Sequence, residues 1–168
     1  MDSTEIQQAY QAFASVLRAG RFTRPDSGWD ASLIAAHVTA NNDTIASLAE
    51  QIAAGQHPSY DNAEVTDDKR LREIVSAAGT LDNLAALVLQ SAARLAGAWE
   101  QLGPGLGTTE VPATIADSGR VVHDDPIPIR EFIERNATSH LQLHLAQLQA
   151  LQPPGRLRHL IAPDGSSA

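Results

Sequence analysis

The sequence predicts an all-α protein: a four-helix bundle with a short hairpin or extended insertion before its last long helix. Two observations lead to this class. Alanine and leucine supply most of the apolar side chains, because 43 % of the 168 residues are hydrophobic while only 4 % are aromatic, and both residue types favour closely packed helices. Apolar residues also recur every three or four positions along several long segments, which is the spacing of one helix face. A chain of this length can form one domain with a substantial core.

The first two helices are predicted in the N-terminal third of the chain. Ser3 can cap a first helix that runs to about Arg18, and the helix-breaking segment TRPDSG follows it. The second helix is predicted to begin near Asp26 or Ser27 and to run to about Ala54, where a glycine ends it. The apolar faces of the two helices consist of Ile6, Tyr10, Phe13, Val16 and Leu17, and of Leu33, Ile34, Val38, Ile45, Leu48 and Ile52.

The middle of the chain predicts one further helical arm. The segment QHPSYDNAEVT has the composition of a loop. Thr66 can cap a third helix, which Gly79 interrupts, and Thr80 can start the helix again through LDNLAALVLQSAARLAGAWEQL. Two helices and one kinked helix both fit this pattern. The segment GPGLGTT then breaks the helix.

The stretch EVPATIADSGRVVHDDPIPI carries β-branched residues on either side of the turn signal ADSG, which indicates a short hairpin or an extended excursion. The last long helix is predicted from about Ile129 to Leu151. Residues 1–152 are therefore assigned to the bundle, and residues 153–168 to a C-terminal tail whose middle, LRHLI, can pack back onto it.

The charge and composition of the chain exclude several classes of partner and location. A formal net charge of −8 argues against nucleic acid as a partner, because phosphate binding needs a basic surface. The N-terminus is polar, and no segment has the roughly 18–20 apolar residues that span a bilayer, so we expect a cytoplasmic protein that does not enter membranes. An exposed apolar face of the bundle would support a homodimer. Without cysteine, any thiol chemistry must use a thiol from outside the chain.

Three histidines form a candidate metal site. His140 and His144 are four residues apart, about one helical turn, so they lie on one helix face. His37 lies in the middle of an apolar helix, where a buried neutral imidazole needs a carboxylate, a carbonyl or a metal as its partner. Three imidazoles on one divalent ion leave coordination positions open for water or substrate, as in catalytic metal sites.

Polar residues one turn from these histidines are candidates for orienting ligands or substrate. Asn41 follows His37 by four residues, and Asn136 precedes His140 by four. Arg130 and Arg135 are candidates for binding a carboxylate of the substrate as a bidentate fork.

The remaining candidates are expected to have structural or surface roles. Trp29 is expected to anchor the start of the second helix, for which Asp30 competes with Ser27 as the cap. Three histidines in loops or the tail are expected to be solvated: His57, His123 and His159.

The segments WDASLIAAH and RNATSHLQLHLAQL resemble two helices of the DinB/YfiT-like superfamily, and more narrowly those of the N-terminal domain of mycothiol-dependent maleylpyruvate isomerase. The resemblance covers roughly residues 5 to 152. It implies a four-helix bundle that holds a divalent metal, usually zinc or nickel, through His37, His140 and His144. His140 stands where the isomerase domain has a glutamate, so the three-histidine set is more similar to the thiol S-transferases of the wider group. We also expect the chain to lack the isomerase's additional C-terminal domain.

The leading functional hypothesis is a metal-dependent thiol S-transferase. A bound metal lowers the pKa of a thiol, and the resulting thiolate attacks a small electrophile. An alanine- and arginine-leaning composition points to an actinobacterial source, where that thiol is mycothiol. Two alternatives stay open. One is a hydrolase that uses a metal-activated water on the same triad. The absence of an obvious acidic residue near the histidines in sequence counts against it, because hydrolysis usually needs a general base. The other is a non-catalytic metal-binding or interaction protein.

Overall fold

The computed structural model describes residues 1–153 and is mostly helical, with 67 % helix and 10 % strand. The prediction of a mainly helical fold is confirmed, but a purely all-α four-helix bundle is not, because two small sheets are present. The helices are α1 (Ser3–Ala19), α2 (Ala31–Ala53), α3 (Ala63–Thr66), α4 (Asp68–Ala78), α5 (Leu81–Leu106), α6 (Ile129–Arg135) and α7 (Leu141–Ala150). The predicted tail beyond residue 153, with LRHLI and His159, lies outside the described residues.

The long helices pack around one apolar core. Helix α5 packs along both α1 and α2, while α7 contacts α1 and α2. Alanines at the contacts of α2 and α5 are almost completely buried, and their small size lets the helix axes approach closely. The largest fully buried side chains of the core include Ile6, Tyr10, Phe13, Leu17, Ile34, Ile45, Leu84, Leu95, Leu102 and Ile133.

Short strands form beside the bundle, where a hairpin or extended insertion and a loop were predicted. They are β1 (Tyr60–Asp61), β2 (Glu110–Val111), β3 (Ala113–Asp117), β4 (Arg120–His123) and β5 (Ile127–Pro128). Strands β3 and β4 are an antiparallel hairpin, so the hairpin alternative for the insertion is correct. Ser118 and Gly119 in its turn both have positive φ, as tight hairpin turns require. Strand β1, in the segment predicted to be a loop, pairs in parallel with β3 and ties the hairpin to the bundle.

Carboxylates cap two helices for which hydroxyl residues were the predicted caps. Asp2, not Ser3, caps α1 and forms a capping box with Glu5. Asp67 caps α4, one residue after the predicted Thr66. A carboxylate accepts the free amide hydrogen bonds and also interacts favourably with the positive end of the helix dipole, which gives it the advantage over a neighbouring hydroxyl.

Helix α2 begins at Ala31, several residues later than predicted, because Asp30 caps it by accepting hydrogen bonds from the amides of Ser32 and Leu33 at 3.0 Å. Replacing Asp30 with alanine is expected to lower the free energy of unfolding by about 1 kcal/mol. Urea denaturation measures this effect, and Asp26→Ala in the preceding loop is the matched control. Equal stability of the two variants would rule out the capping role.

The arm between α2 and the hairpin consists of two helices rather than one kinked helix. Gly79 ends α4 in a left-handed conformation, and Thr80 caps α5 as predicted. Helix α5 is kinked at Gly103, the first residue of the predicted break GPGLGTT, and ends at Leu106 within that segment. No single helix among residues 1–153 is long and apolar enough to cross a membrane; α4 and α5 meet that criterion only together, and they are bent by 112°.

The last predicted helix, residues 129–151, is interrupted by a π-helical turn. This turn, Asn136–His140, separates α6 from α7, and the Leu141 amide donates back to the carbonyl of Asn136 across it. Such single wide turns often occur at functional sites. The turn contains two of the candidate residues, Asn136 and His140.

Candidate metal centre

The structure brings the three predicted histidines together. His37 comes from α2, His140 from the end of the π-helical turn and His144 from the first turn of α7. The Nε2 atom of His140 lies 3.1 Å from the Nε2 of His37 and 3.1 Å from the Nε2 of His144. One ring nitrogen from each residue lies within 4.8 Å of the other two. The imidazoles therefore converge on one point.

Contacts on the far side of two rings set which nitrogen carries the proton. The Nδ1 atom of His37 donates to the carbonyl oxygen of Val65 in α3 at 2.8 Å. The Nδ1 atom of His144 contacts the side-chain oxygen of Gln147 at 2.8 Å. Because both partners are acceptors, the protons lie on Nδ1 and the Nε2 lone pairs point toward the centre. This is the arrangement that outer hydrogen bonds impose on metal-binding histidines.

The donor set fits a divalent cation. A proton on Nε2 of His140 can be donated to only one of its two neighbours, and the Nε2 lone pair of the other histidine is then left without a donor. A cation at the centre would accept all three lone pairs. Metal–nitrogen bonds of about 2.0–2.1 Å at tetrahedral angles place ligand atoms about 3.4 Å apart, close to the 3.1 Å separations of these Nε2 atoms.

Burial keeps the three imidazoles neutral, which is the state that binds metals. Desolvation lowers the pKa of His37 to about 4, against a smaller opposing effect of the hydrogen bond to Val65. Desolvation and the neighbouring histidines lower the pKa of His140 to about 3. Burial also lowers the pKa of His144. At neutral pH none of the three rings carries a positive charge.

A cavity of about 530 Å³ opens onto the triad. Trp29, expected to anchor the start of α2, lies beside the triad, with its ring centroid 4.8 Å from that of His37. Tyr60 and Phe132 meet edge to face on the same cavity wall, with centroids 4.7 Å apart. The remaining apolar lining comes from Ile115, Ala116, Ile127 and Leu143. The cavity therefore combines three nitrogen donors with a largely apolar and aromatic wall.

The two candidate arginines lie in different places. Arg135 lines the cavity and forms an ion pair with Glu131 one turn earlier. Arg130 does not line it: its guanidinium lies 4.2 Å from the ring centroid of Trp99, and its Nε is buried without a hydrogen-bond partner. Arg130, predicted to bind a carboxylate of the substrate, is therefore not among the residues that line this cavity, because its side chain stacks on Trp99.

The two candidate asparagines are buried side by side next to the triad. The Nδ2 atom of Asn41 donates to the Oδ1 of Asn136 at 2.8 Å, and both residues line the cavity. Of the other histidines, His57 is exposed in a loop, and His123 contacts the carbonyl of Asp125 at 2.8 Å.

Several residues of the site had no functional role predicted from the sequence. Tyr60 was assigned to a loop, and the cavity residues of β3 were assigned only to a hairpin or extended insertion. Val65 contributes through its backbone carbonyl, which any residue possesses. Asp117 is the only carboxylate among the described residues that line the cavity. Their sequence positions carried no signal of these roles, since β1 forms only by pairing with β3.

Comparison with known proteins supports one family. The family model described as the mycothiol maleylpyruvate isomerase N-terminal domain matches residues 4–124, well over half of the chain. The match includes His37 and ends before His140 and His144. No curated protein and no solved structure matches the chain.

Proposed function

The chain belongs to the mycothiol maleylpyruvate isomerase N-terminal domain family, and on that premise we propose that it is a divalent-metal-dependent transferase that joins a low-molecular-weight thiol, mycothiol by preference, to a small electrophile. One observation carries the proposal: three neutral imidazoles present their Nε2 atoms at a mainly apolar cavity of about 530 Å³. Zinc and nickel are the ions we expect there, since both suit imidazole ligands.

His37, His140 and His144 hold the ion in this proposal. When bound, a divalent ion lowers the pKa of a coordinated thiol toward neutrality. The carbonyl of Val65 and the amide oxygen of Gln147 keep two of the rings in the ligating tautomer. Because the chain has no cysteine, the thiol has to enter through the cavity.

The cavity wall favours an electrophile with an apolar or aromatic body. Trp29, Tyr60 and Phe132 present aromatic surface, and exclusion of water by these side chains strengthens the reactivity of a sulfur anion. Arg135 is the only cationic side chain among the described lining residues. Its guanidinium can bind an anionic group on either substrate once its ion pair with Glu131 is broken.

Conjugation is expected to require both the metal and an added thiol. Purified protein loaded with one equivalent of Zn²⁺ or Ni²⁺ is mixed with mycothiol, bacillithiol or glutathione and with a haloarene or a bimane electrophile. Product formation is expected with mycothiol above the uncatalysed rate and is expected to disappear after chelation. Turnover that persists without any thiol would contradict the transferase.

A hydrolase is the second candidate, and the position of Asp117 favours it. This carboxylate lies on the cavity lining at the end of β3, where it could serve as a general base. Asp117→Asn preserves the shape of the side chain and removes the base. Loss of a thiol-independent hydrolysis in this variant would establish the hydrolase, whereas unchanged thiol conjugation supports the transferase. Tight metal binding without either activity would leave the non-catalytic metal-binding role.

A further inference from the structure

We infer that Asn136 is a positioning residue, which holds the π-helical turn in the rotation that places His140 against His37. The inference rests on metal binding by the triad, as in the proposed function. It assigns a role to a buried hydrogen-bond network that begins in α5, crosses α1 and α2, and ends at Tyr60 in the cavity wall.

The amide of Asn136 is fixed by three hydrogen bonds. Its Oδ1 accepts from Asn41 at 2.8 Å, and its Nδ2 donates to the Oδ1 of Asn42 at 2.8 Å and to the hydroxyl of Tyr10 at 3.0 Å. Asn136 is only 3 % exposed, so no solvent competes for these groups. A buried amide with all its partners in place has one favourable orientation, because any rotation leaves polar atoms unpaired.

The partners of Asn136 are themselves held in place. The hydroxyl of Tyr10 donates to the Oδ1 of Asn42 at 2.7 Å, and the Nδ2 of Asn42 donates to the hydroxyl of Ser91 at 3.1 Å. On the cavity side, the hydroxyl of Tyr60 donates to the Oδ1 of Asn41 at 2.7 Å. The network therefore ties the π-helical turn to four other elements, α1, α2, α5 and β1.

The wide turn aligns Asn136 with both histidines of the last helix. Each four-residue step in a regular α-helix overshoots a full turn by about 40°, so residues 136, 140 and 144 would fan out around the helix. A turn closed by an i to i+5 hydrogen bond rotates less per residue and offsets this drift. Asn136, His140 and His144 consequently all face α2.

Helix α2 meets that face with the same spacing. His37 and Asn41 are one turn apart, and because residue 37 pairs with 140 while residue 41 pairs with 136, the two helices run antiparallel. Asn41 bonds to Asn136, while His37 lies 3.1 Å from His140. The asparagine pair and the histidine pair are thus adjacent contacts between the same two helices. Loss of the first is expected to let the π-helical turn relax toward a regular helix and to displace His140.

Metal affinity of the folded protein tests the inference. Asn136→Ala is compared with Ser91→Ala, which also removes a buried hydrogen bond but acts at the far end of the network. Zn²⁺ affinity is measured by competition with a chelator, and the visible ligand-field spectrum of bound Co²⁺ reports the geometry of the ligands. Circular dichroism verifies that each variant is folded.

Asn136→Ala is expected to weaken Zn²⁺ binding by about 10- to 100-fold and to change the Co²⁺ spectrum, whereas Ser91→Ala keeps both. Equal affinity in wild type and Asn136→Ala, or equal losses in both variants, would overturn the inference and leave the proposed function intact. Absence of metal binding by the wild-type protein would instead refute the proposed function. If Asn136→Ala fails to fold, Asn41→Ala decides: unchanged affinity in that variant overturns the inference.

Discussion

Replacing His37 with alanine is expected to abolish metal binding at the triad and all metal-dependent thiol conjugation. The loss should exceed the 10- to 100-fold typical of removing an outer hydrogen-bond partner of a ligand, because one of three ligating nitrogens disappears. Calorimetric titration with Zn²⁺ and the conjugation rate with mycothiol measure the two effects.

The fold is expected to survive this substitution with reduced stability. The carbonyl of Val65 loses its partner, at a cost of about 1–3 kcal/mol if it stays buried. The apolar core of α2 is unchanged. His57→Ala, an exposed loop histidine, is the matched control and is expected to bind metal as the wild type does. Metal binding by a folded His37→Ala variant at wild-type affinity would remove His37 from the ligand set.

Acid is expected to destabilise the metal-free protein well before its carboxylates are protonated. Histidines in the unfolded chain have a pKa near 6.5, whereas burial lowers the pKa of His37 to about 4 and that of His140 to about 3. Between these values the unfolded state binds more protons than the folded state. The stability contributed by the neutral rings is thus complete above pH 6.5 and is lost as the pH falls toward 4 and below.

The size of this effect follows from linkage. Each histidine that is protonated only in the unfolded state lowers the free energy of unfolding by about 1.4 kcal/mol per pH unit within that window. Urea denaturation of the metal-free protein at several pH values measures the slope. His140→Ala removes one of these titrating groups and should reduce the slope by about 1.4 kcal/mol per pH unit. His57→Ala should leave the slope unchanged. A free energy of unfolding that stays constant from pH 6.5 to 4 would refute buried neutral histidines.

The sequence was most informative where local spacing decides the outcome. The four-residue separation of His140 and His144 places both rings on one helix face in the structure, and the apolar surroundings of His37 correctly indicated a buried side chain. Thr80 caps α5, and the ADSG turn joins β3 to β4. These features depend on backbone geometry within a few residues, and the amino-acid types of those residues largely determine that geometry.

Features that depend on distant partners could not be predicted in this way. The π-helical turn forms where Asn136 bonds to side chains from α1 and α2, and the local sequence of the turn does not indicate those contacts. Tyr60 reaches the cavity because β1 pairs with a strand more than fifty residues away. Arg130 stacks on Trp99, which belongs to another helix.

X-ray absorption at the zinc edge tests the central claim, that three imidazoles hold one divalent ion, most directly. Protein loaded with one equivalent of Zn²⁺ is expected to show about three imidazole nitrogens at roughly 2.0–2.1 Å, with at least one further light-atom ligand at the open position. The imidazole signal should be lost in His37→Ala, which no longer holds the ion at the triad, and remain in His57→Ala. A zinc environment made only of oxygen ligands, or one unaffected by His37→Ala, would contradict the account.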